Sequence, residues 1–149
     1  MRRGFGLITA IVIMITVATL MTLMIGLSST SVKVTMDIYL KEQAELLSRS
    51  ATEFALLAIS GHNNSVDCIQ NINISYPEGA NPTHDANITI WYIGSGLPAA
   101  CTNVLPFANN IATNESNLTV LIDTVITVNQ VNTGITEPIR VHRRTLQKP

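Results

Sequence analysis

Charged residues are scarce in this chain of 149 residues and make up 13% of it, whereas an average soluble domain has about 25%. The formal net charge of −1 excludes a nucleic-acid-binding surface spread over the whole chain. Aromatic residues, at 5%, are too few for a large pocket lined by aromatic side chains. The hydrophobic share of 46% is ordinary. The mean hydropathy of +0.30 is nevertheless high for a soluble protein, which indicates one concentrated apolar segment.

That segment lies at residues 7–27, which contain neither a charged residue nor a proline. A bilayer core about 30 Å thick needs roughly 20 helical residues, so this run predicts a transmembrane helix. Arg2 and Arg3 precede it and place the N-terminus in the cytoplasm by the positive-inside rule, with the rest of the chain outside. A buried core helix is one alternative. A signal peptide cleaved near the small residues 28–31 is another, although its apolar region is typically only about 7–15 residues long.

Proline and glycine are absent from residues 32–60, and Gly61 supplies a C-terminal stop for a helix. Apolar or small residues recur at helical spacing at Met36, Leu40, Ala44, Leu47, Ala51, Phe54 and Ala58. Charges of alternating sign recur at every fourth position, at Lys33, Asp37, Lys41, Glu45, Arg49 and Glu53. We predict that residues 28–60 continue the membrane helix as an amphipathic helix. The serines within 28–31 favour caps, so a break or bend there is the alternative.

The remainder, residues 61–149, is predicted to form a β-rich domain. Alternating apolar and polar residues predict strands over 72–76, 87–92, 118–128 and 135–141. We expect Asn132-Thr133-Gly134 to form the last turn, and Pro138 marks the last strand as an edge strand or a bulge. Four strands in two hairpins form an antiparallel sheet, whose apolar face needs a cover. The outer half of the helix supplies that cover, so the predicted fold class is α+β.

Cysteine is limited to Cys68 and Cys101. Both fall on the predicted outer side of the membrane, where two cysteines most simply form one disulfide. Closing that loop stabilises the fold by about 3–4 kcal/mol. The three histidines, His62, His84 and His142, lack metal-ligand spacing. The sequence contains no nucleophile elbow, phosphate-binding glycine loop or zinc motif, so we expect neither an enzyme nor a bound cofactor or metal.

The N-terminus carries a resemblance to a known family. A basic leader is followed by Gly4 and Phe5, and Leu7 and Ile8 open the apolar helix. This resembles the N-terminus of type IV prepilins and of type II secretion pseudopilins, and it is similar to small prepilin-like proteins of Campylobacter-type bacteria. The resemblance implies that a membrane peptidase removes residues 1–4 and that Phe5 is then methylated. It further implies that residues 5–27 span the membrane and pack with copies in a filament, with a pilin-like sheet domain outside.

Two positions depart from the family pattern. The family usually has Glu where this chain has Thr9, and Thr or Ser where it has Gly6. The family's Glu meets the N-terminal amine of a neighbouring subunit, and a non-acidic residue there occurs in certain minor pseudopilins at the filament tip. Gly26 stands where many members have a helix-loosening proline; local melting and ordinary helix packing both explain a glycine there.

The resemblance therefore implies a minor pilin or pseudopilin of a type IV pilus, type II secretion or DNA-uptake filament. Its expected partners are the bilayer of the bacterial inner membrane, a prepilin peptidase and other pilin-like subunits, and nucleic acid is not expected. The alternative is a single-pass membrane-anchored periplasmic domain that binds a partner or serves as an accessory factor outside any filament.

Two further patterns have more than one interpretation. Lys and Arg are absent from residues 62–137, and basic residues then crowd into the tail at Arg140, His142, Arg143, Arg144 and Lys148. This tail either protects an edge strand or contacts the acidic face of a neighbouring subunit or DNA.

Five Asn-x-Ser/Thr sequons occur, at Asn63, Asn73, Asn87, Asn114 and Asn117. Asn87 and Asn117 have an acid two residues earlier, as in the extended bacterial sequon, and are candidate glycosylation sites; an Asn- and Thr-rich β domain is the alternative.

Overall fold

The computed structural model describes residues 3–94, 96–105, 118–135 and 137–149, with side chains from residue 6 onward. The elements follow in the order α1 (Arg3–Gly61), β1 (Asn71–Tyr76), β2 (His84–Gly94), β3 (Leu118–Val128), α2 (Gln130–Thr133) and β4 (Arg140–Gln147). The chain divides into two compact units, Met1–Ile38 and Tyr39–Pro149. The second unit contains the last part of α1 and the whole sheet.

In the first unit, α1 is long and apolar enough to cross a membrane by length and composition. Its side chains from residue 6 to residue 36 are all exposed. Thr16, Thr19 and Thr22 donate their hydroxyls to carbonyls one turn earlier, at 2.8–2.9 Å, so their polarity is satisfied within the helix. Ser29 and Thr30 do the same to Gly26 and Leu27, and the helix continues through residues 28–31 without a break.

In the second unit, α1 packs on the sheet through a face of mostly small side chains, namely Leu40, Ala44, Ser48, Ala51, Thr52, Ala55 and Ile59. The predicted helical period is right, but Phe54 is 50% exposed and does not belong to this face. The buried series continues instead through Thr52 and Ala55. Ser48 and Thr52 are tolerated there because their hydroxyls donate to the carbonyls of Glu45 and Ser48 at 2.7 and 2.8 Å.

The charged series on α1 contributes little pairing. Among the described residues, Glu45 and Arg49 are the one pair of this series in contact, with their side-chain atoms 2.9 Å apart. An exposed pair of this spacing stabilises a helix by about 0.3–0.5 kcal/mol. Residues at every fourth position drift by about 40° per step around a helix, so the alternating charges serve mainly to hydrate a broad part of its surface.

The sheet is antiparallel throughout, in the order β1-β2-β3-β4, which confirms the predicted α+β class and the two hairpins. On β2 and β3 every second side chain faces α1 and is buried. Ile88 and Ile90 on β2 and Ile122 and Ile126 on β3 are completely buried and form the centre of the core with Ile59 of α1. The odd-numbered residues of these two strands form the opposite face, which we call the outer face.

The prediction for the last strand is wrong at both ends. Residues 132–134 do not form a hairpin turn, because Asn129 caps the short helix α2 by accepting from the backbone N–H groups of Val131 and Asn132. Gly134 ends α2 in the left-handed conformation, with φ at 69°. Pro138 lies before β4 rather than inside it, and β4 then runs as an edge strand to Gln147.

Candidate functional site

The predicted processing and assembly residues lie along the first unit of α1. Gly4 and Phe5 lie in its first turns and have helical backbone. Thr9 donates its hydroxyl to the carbonyl of Gly6 at 3.0 Å. Gly26 is helical, and a Cβ placed there would meet nothing within 4 Å. The glycine at position 26 is therefore not required by close packing inside this chain.

The second unit of α1 exposes a line of large apolar side chains, which we call the outer stripe. It consists of Tyr39, Leu46, Phe54 and Leu57, with exposed fractions of 60%, 65%, 50% and 70%. At 100° per residue these four lie within about 80° of the helix circumference, roughly opposite the buried face. The spacing of seven residues between Tyr39 and Leu46 is a sequence signal for this stripe, but the predicted apolar series covers only the opposite side of the helix and Phe54.

A groove of about 270 Å³ borders the outer stripe where α1 passes β1, lined by Gln43, Leu46, Leu47, Ser50, Tyr76 and His84. His84 is completely buried at its base, and its Nε2 lies 3.2 Å from the carbonyl oxygen of Leu40. Because a carbonyl only accepts, Nε2 carries the proton, and Nδ1 lies 2.8 Å from the hydroxyl of Thr83. His84 thus joins the helix to the sheet.

Cys68 and Cys101 form the predicted disulfide, with their Cα atoms 5.1 Å apart. Gln70 supports it by donating to the carbonyl of Ala100 at 3.0 Å and accepting from Thr102 at 2.7 Å. Together these contacts hold residues 101–105, which we call the strap, beside the start of β1.

The strap completes the edge of the sheet beyond β1. The carbonyl of Asn103 accepts from the backbone N–H of Tyr92 at 2.8 Å, and the N–H of Leu105 donates to the carbonyl of Tyr92 at 3.1 Å. Burial raises the pKa of the Tyr92 hydroxyl, which donates to the carbonyl of Ile69 at 2.8 Å. The disulfide therefore fixes the end of β2 as well as the strap.

The basic tail does not form one patch. Arg140 and Arg144 lie on the outer face, whereas Arg143 is the partner of Thr124 on the face towards α1. Arg144 donates to Asp123 on β3 at 2.6 Å, and His142 contacts the other carboxylate oxygen. Burial opposes the ionisation of Asp123, but the hydrogen bonds and charges of Arg144 and His142 outweigh it and lower its pKa.

The sequons fall in different settings. Asn87 is exposed in the central strand β2, and its Cα partner on β1 is Asn73, the asparagine of a second sequon. Asp85, the acid of the extended sequon, accepts from the hydroxyl of Ser75 at 2.8 Å. Asn117 lies outside the described residues. The structure thus places two sequons side by side on the outer face.

In the described parts of the chain, no three His, Cys, Asp or Glu side chains converge as metal ligands would. The three histidines each have a different partner: His62 pairs with Asp67 at 2.6 Å, His84 contacts the carbonyl of Leu40, and His142 contacts Asp123.

No protein-family model matches the chain, and comparisons with curated proteins and with solved structures give no match.

Proposed function

We propose that the protein is a minor pilin or pseudopilin, a structural subunit of a type IV pilus, type II secretion or DNA-uptake filament that is anchored in the inner membrane before assembly. One observation carries the proposal. A single helix, α1, begins in the Gly4-Phe5 region, includes a segment of membrane-spanning length, and ends in an amphipathic stretch packed on a four-stranded antiparallel sheet.

The exposed apolar surface of α1 supports assembly through this helix. In the membrane, lipid covers the exposed apolar side chains of the predicted span, residues 7–27. In a filament outside the membrane, other subunits must cover them, because each Å² of apolar surface left in water costs about 25 cal/mol. The outer stripe extends the same kind of surface into the second unit, where it is free of the sheet.

The first chemical step in the proposed function is cleavage of the chain after Gly4. Hydrolysis of the peptide bond between Gly4 and Phe5 removes Arg2 and Arg3, the two charges that hold the N-terminus in the cytoplasm. The new N-terminus then begins directly with the apolar helix. Thr9 is neutral and offers no carboxylate to the amine of a neighbouring subunit. This favours a subunit with few copies over the repeating subunit.

Mass spectrometry of the mature N-terminus tests the proposal. The full chain is produced with and without a prepilin peptidase, beside a Gly4→Leu variant. We expect a chain that starts at methylated Phe5 only when the peptidase is present and Gly4 is intact. Gly6→Ala is the matched control: it changes a nearby glycine without disturbing the folded chain, where a Cβ at this position meets no atom within 4 Å, and we expect it to be cut normally.

A chain that keeps Met1, or that is cut within residues 28–31, would contradict the proposal. Either result would support the second candidate, a membrane-anchored periplasmic binding or accessory domain. The observation that favours this candidate is Thr9, because a membrane anchor that never joins a filament needs no acid in its apolar helix.

A further inference from the structure

The outer face of the sheet has an apolar row and, beside it, a polar row. Trp91, Leu121 and Leu146 are successive cross-strand partners on β2, β3 and β4 and form the apolar row. The neighbouring row on the same three strands is Thr89, Asp123 and Arg144. Leu146 is 61% exposed. Contiguous apolar surface on a face turned away from the core marks interaction sites more often than chance exposure does.

A cleft of about 370 Å³ lies where the two rows meet, lined by Thr89, Trp91, Leu105, Leu121, Asp123 and Arg144. This volume is at the lower end of small-ligand pockets, which span about 300–1,000 Å³. Leu105 belongs to the strap, so the disulfide determines the position of one wall. The other lining residues come from paired strands, which hold them rigidly in register.

From this arrangement we infer that the cleft is a binding site for a neutral glycan. A pyranose ring has an apolar face of C–H groups and an edge of hydroxyls. The indole of Trp91 with Leu105 and Leu121 suits the apolar face, whereas Thr89, Asp123 and Arg144 suit the hydroxyl edge. The inference is independent of the proposed function and holds for either candidate.

The charges in the cleft select a neutral ligand. Asp123 and Arg144 lie 2.6 Å apart and neutralise one another, and His142 contacts the other carboxylate oxygen, so neither a cation nor an anion finds an unpaired opposite charge in this pair. Both groups keep hydrogen-bonding capacity. A carboxylate has about four acceptor positions, of which Arg144 and His142 use two, and a guanidinium has five donors. Arg144 is 58% exposed in its side chain and Asp123 17%, so hydroxyls that both donate and accept can reach the pair.

The binding experiment uses the full chain in a detergent without a sugar headgroup. The probes are the linear hexasaccharides of β-1,4-glucose, β-1,4-N-acetylglucosamine and α-1,4-glucose. Trp91 is the only tryptophan in the chain, so its fluorescence reports directly from the cleft. We expect a saturable change with at least one hexasaccharide at micromolar to millimolar concentration, and calorimetry should give the same affinity.

Variants separate the cleft from the rest of the outer face. Thr89→Val removes one hydroxyl from an otherwise unchanged strand residue and should weaken binding about two- to tenfold. Trp91→Phe, measured by calorimetry, should weaken binding by at least about tenfold. Arg140→Gln is the matched control, since Arg140 is on the same face of β4 but outside the cleft, and should bind as the wild type does.

Several results would overturn the inference. One is the absence of saturable binding with all three hexasaccharides. A second is equal loss of binding in Thr89→Val and Arg140→Gln. A third is a preference for polygalacturonate or dextran sulfate that disappears with added salt, because that would show a charged surface in place of a neutral cleft.

Discussion

Thr52 of α1 and Thr124 of β3 bring their hydroxyl oxygens to 3.3 Å inside the interface between the helix and the sheet. Both side chains are buried, with exposed fractions of 3% and 0%. The Thr52 hydroxyl donates its one hydrogen bond to the carbonyl of Ser48 at 2.8 Å. Thr124 is therefore the donor in the hydrogen bond between the two threonines. This polar link, together with the contact between His84 and the carbonyl of Leu40, fixes the position of the helix on the sheet.

The direction of that hydrogen bond predicts unequal costs for two similar substitutions. Thr52→Val leaves the Thr124 hydroxyl as a buried donor without a partner and should lower the free energy of unfolding by about 1–3 kcal/mol. Thr124→Val leaves Thr52 still donating to Ser48 and should cost about 1 kcal/mol or less. The double variant should be nearly neutral, because neither side of the bond remains unpaired.

These costs are measured by urea unfolding of the full chain in detergent, followed through Trp91 fluorescence. Thr127→Val is the control, an exposed threonine on the same strand, and should change stability by no more than about 0.5 kcal/mol. Strictly additive losses in the double variant would show that the two hydroxyls do not form this hydrogen bond.

The sequence predicted the helix and the sheet because both rest on local patterns. The apolar run, the absence of proline up to Gly61, and the alternation along β2 and β3 each act within one element. The sequence did not predict that Ser48 and Thr52 belong to the buried face of the helix. A serine or threonine on a helix can be buried because its hydroxyl bonds back to a carbonyl of the same helix. Hydropathy alone assigns such residues to the solvent.

The candidate sites were harder to predict because they depend on the register between strands. Asp123 and Arg144 are 21 positions apart in sequence and become direct partners only when β4 starts at Arg140. A last strand predicted over 135–141 leaves Arg144 and Leu146 outside the sheet, so neither the Asp123–Arg144 pair nor the row of Trp91, Leu121 and Leu146 follows from the sequence. The disulfide was predictable because two cysteines leave one pairing.

Removing the disulfide should destabilise the second unit and loosen the strap. Cys68 and Cys101 are separated by 33 in sequence, so loss of the loop closure predicts a decrease of about 3–4 kcal/mol in the free energy of unfolding for the Cys68→Ser/Cys101→Ser variant. Hydrogen exchange should speed up at the amides of Tyr92 and Leu105, which are bonded along the strap. Unchanged exchange there would mean that Gln70 and the sheet hold the strap without the disulfide.

Asp123 should make the stability of the sheet sensitive to acid. Its pKa in the folded chain is lowered by Arg144 and His142, so the unfolded chain takes up a proton first as the pH falls. The stabilisation is complete above the ordinary pKa of about 3.9 and is lost as the pH falls through the lower folded value. Asp123→Asn should therefore be less stable than the wild type at pH 7, and the difference should shrink below about pH 4. A difference that stays constant from pH 7 to pH 2 would assign the loss to packing.

The outer stripe predicts a separation between folding and assembly. Leu46 and Leu57 are 65% and 70% exposed, so Leu46→Gln/Leu57→Gln keeps good helix formers at both positions and should change stability by no more than about 0.5 kcal/mol. Under the proposed function we expect the same two side chains to face neighbouring subunits, with Leu46 beside a groove that a neighbour could fill. The variant should therefore reach the membrane at the wild-type level but be depleted from sheared filaments. Arg49→Gln is the matched control on an exposed position of the same helix and loses only its surface pair with Glu45. If the leucine variant and the arginine control co-purify equally with filaments, the outer stripe is not an assembly surface, and contacts between subunits must lie within residues 6–36 alone.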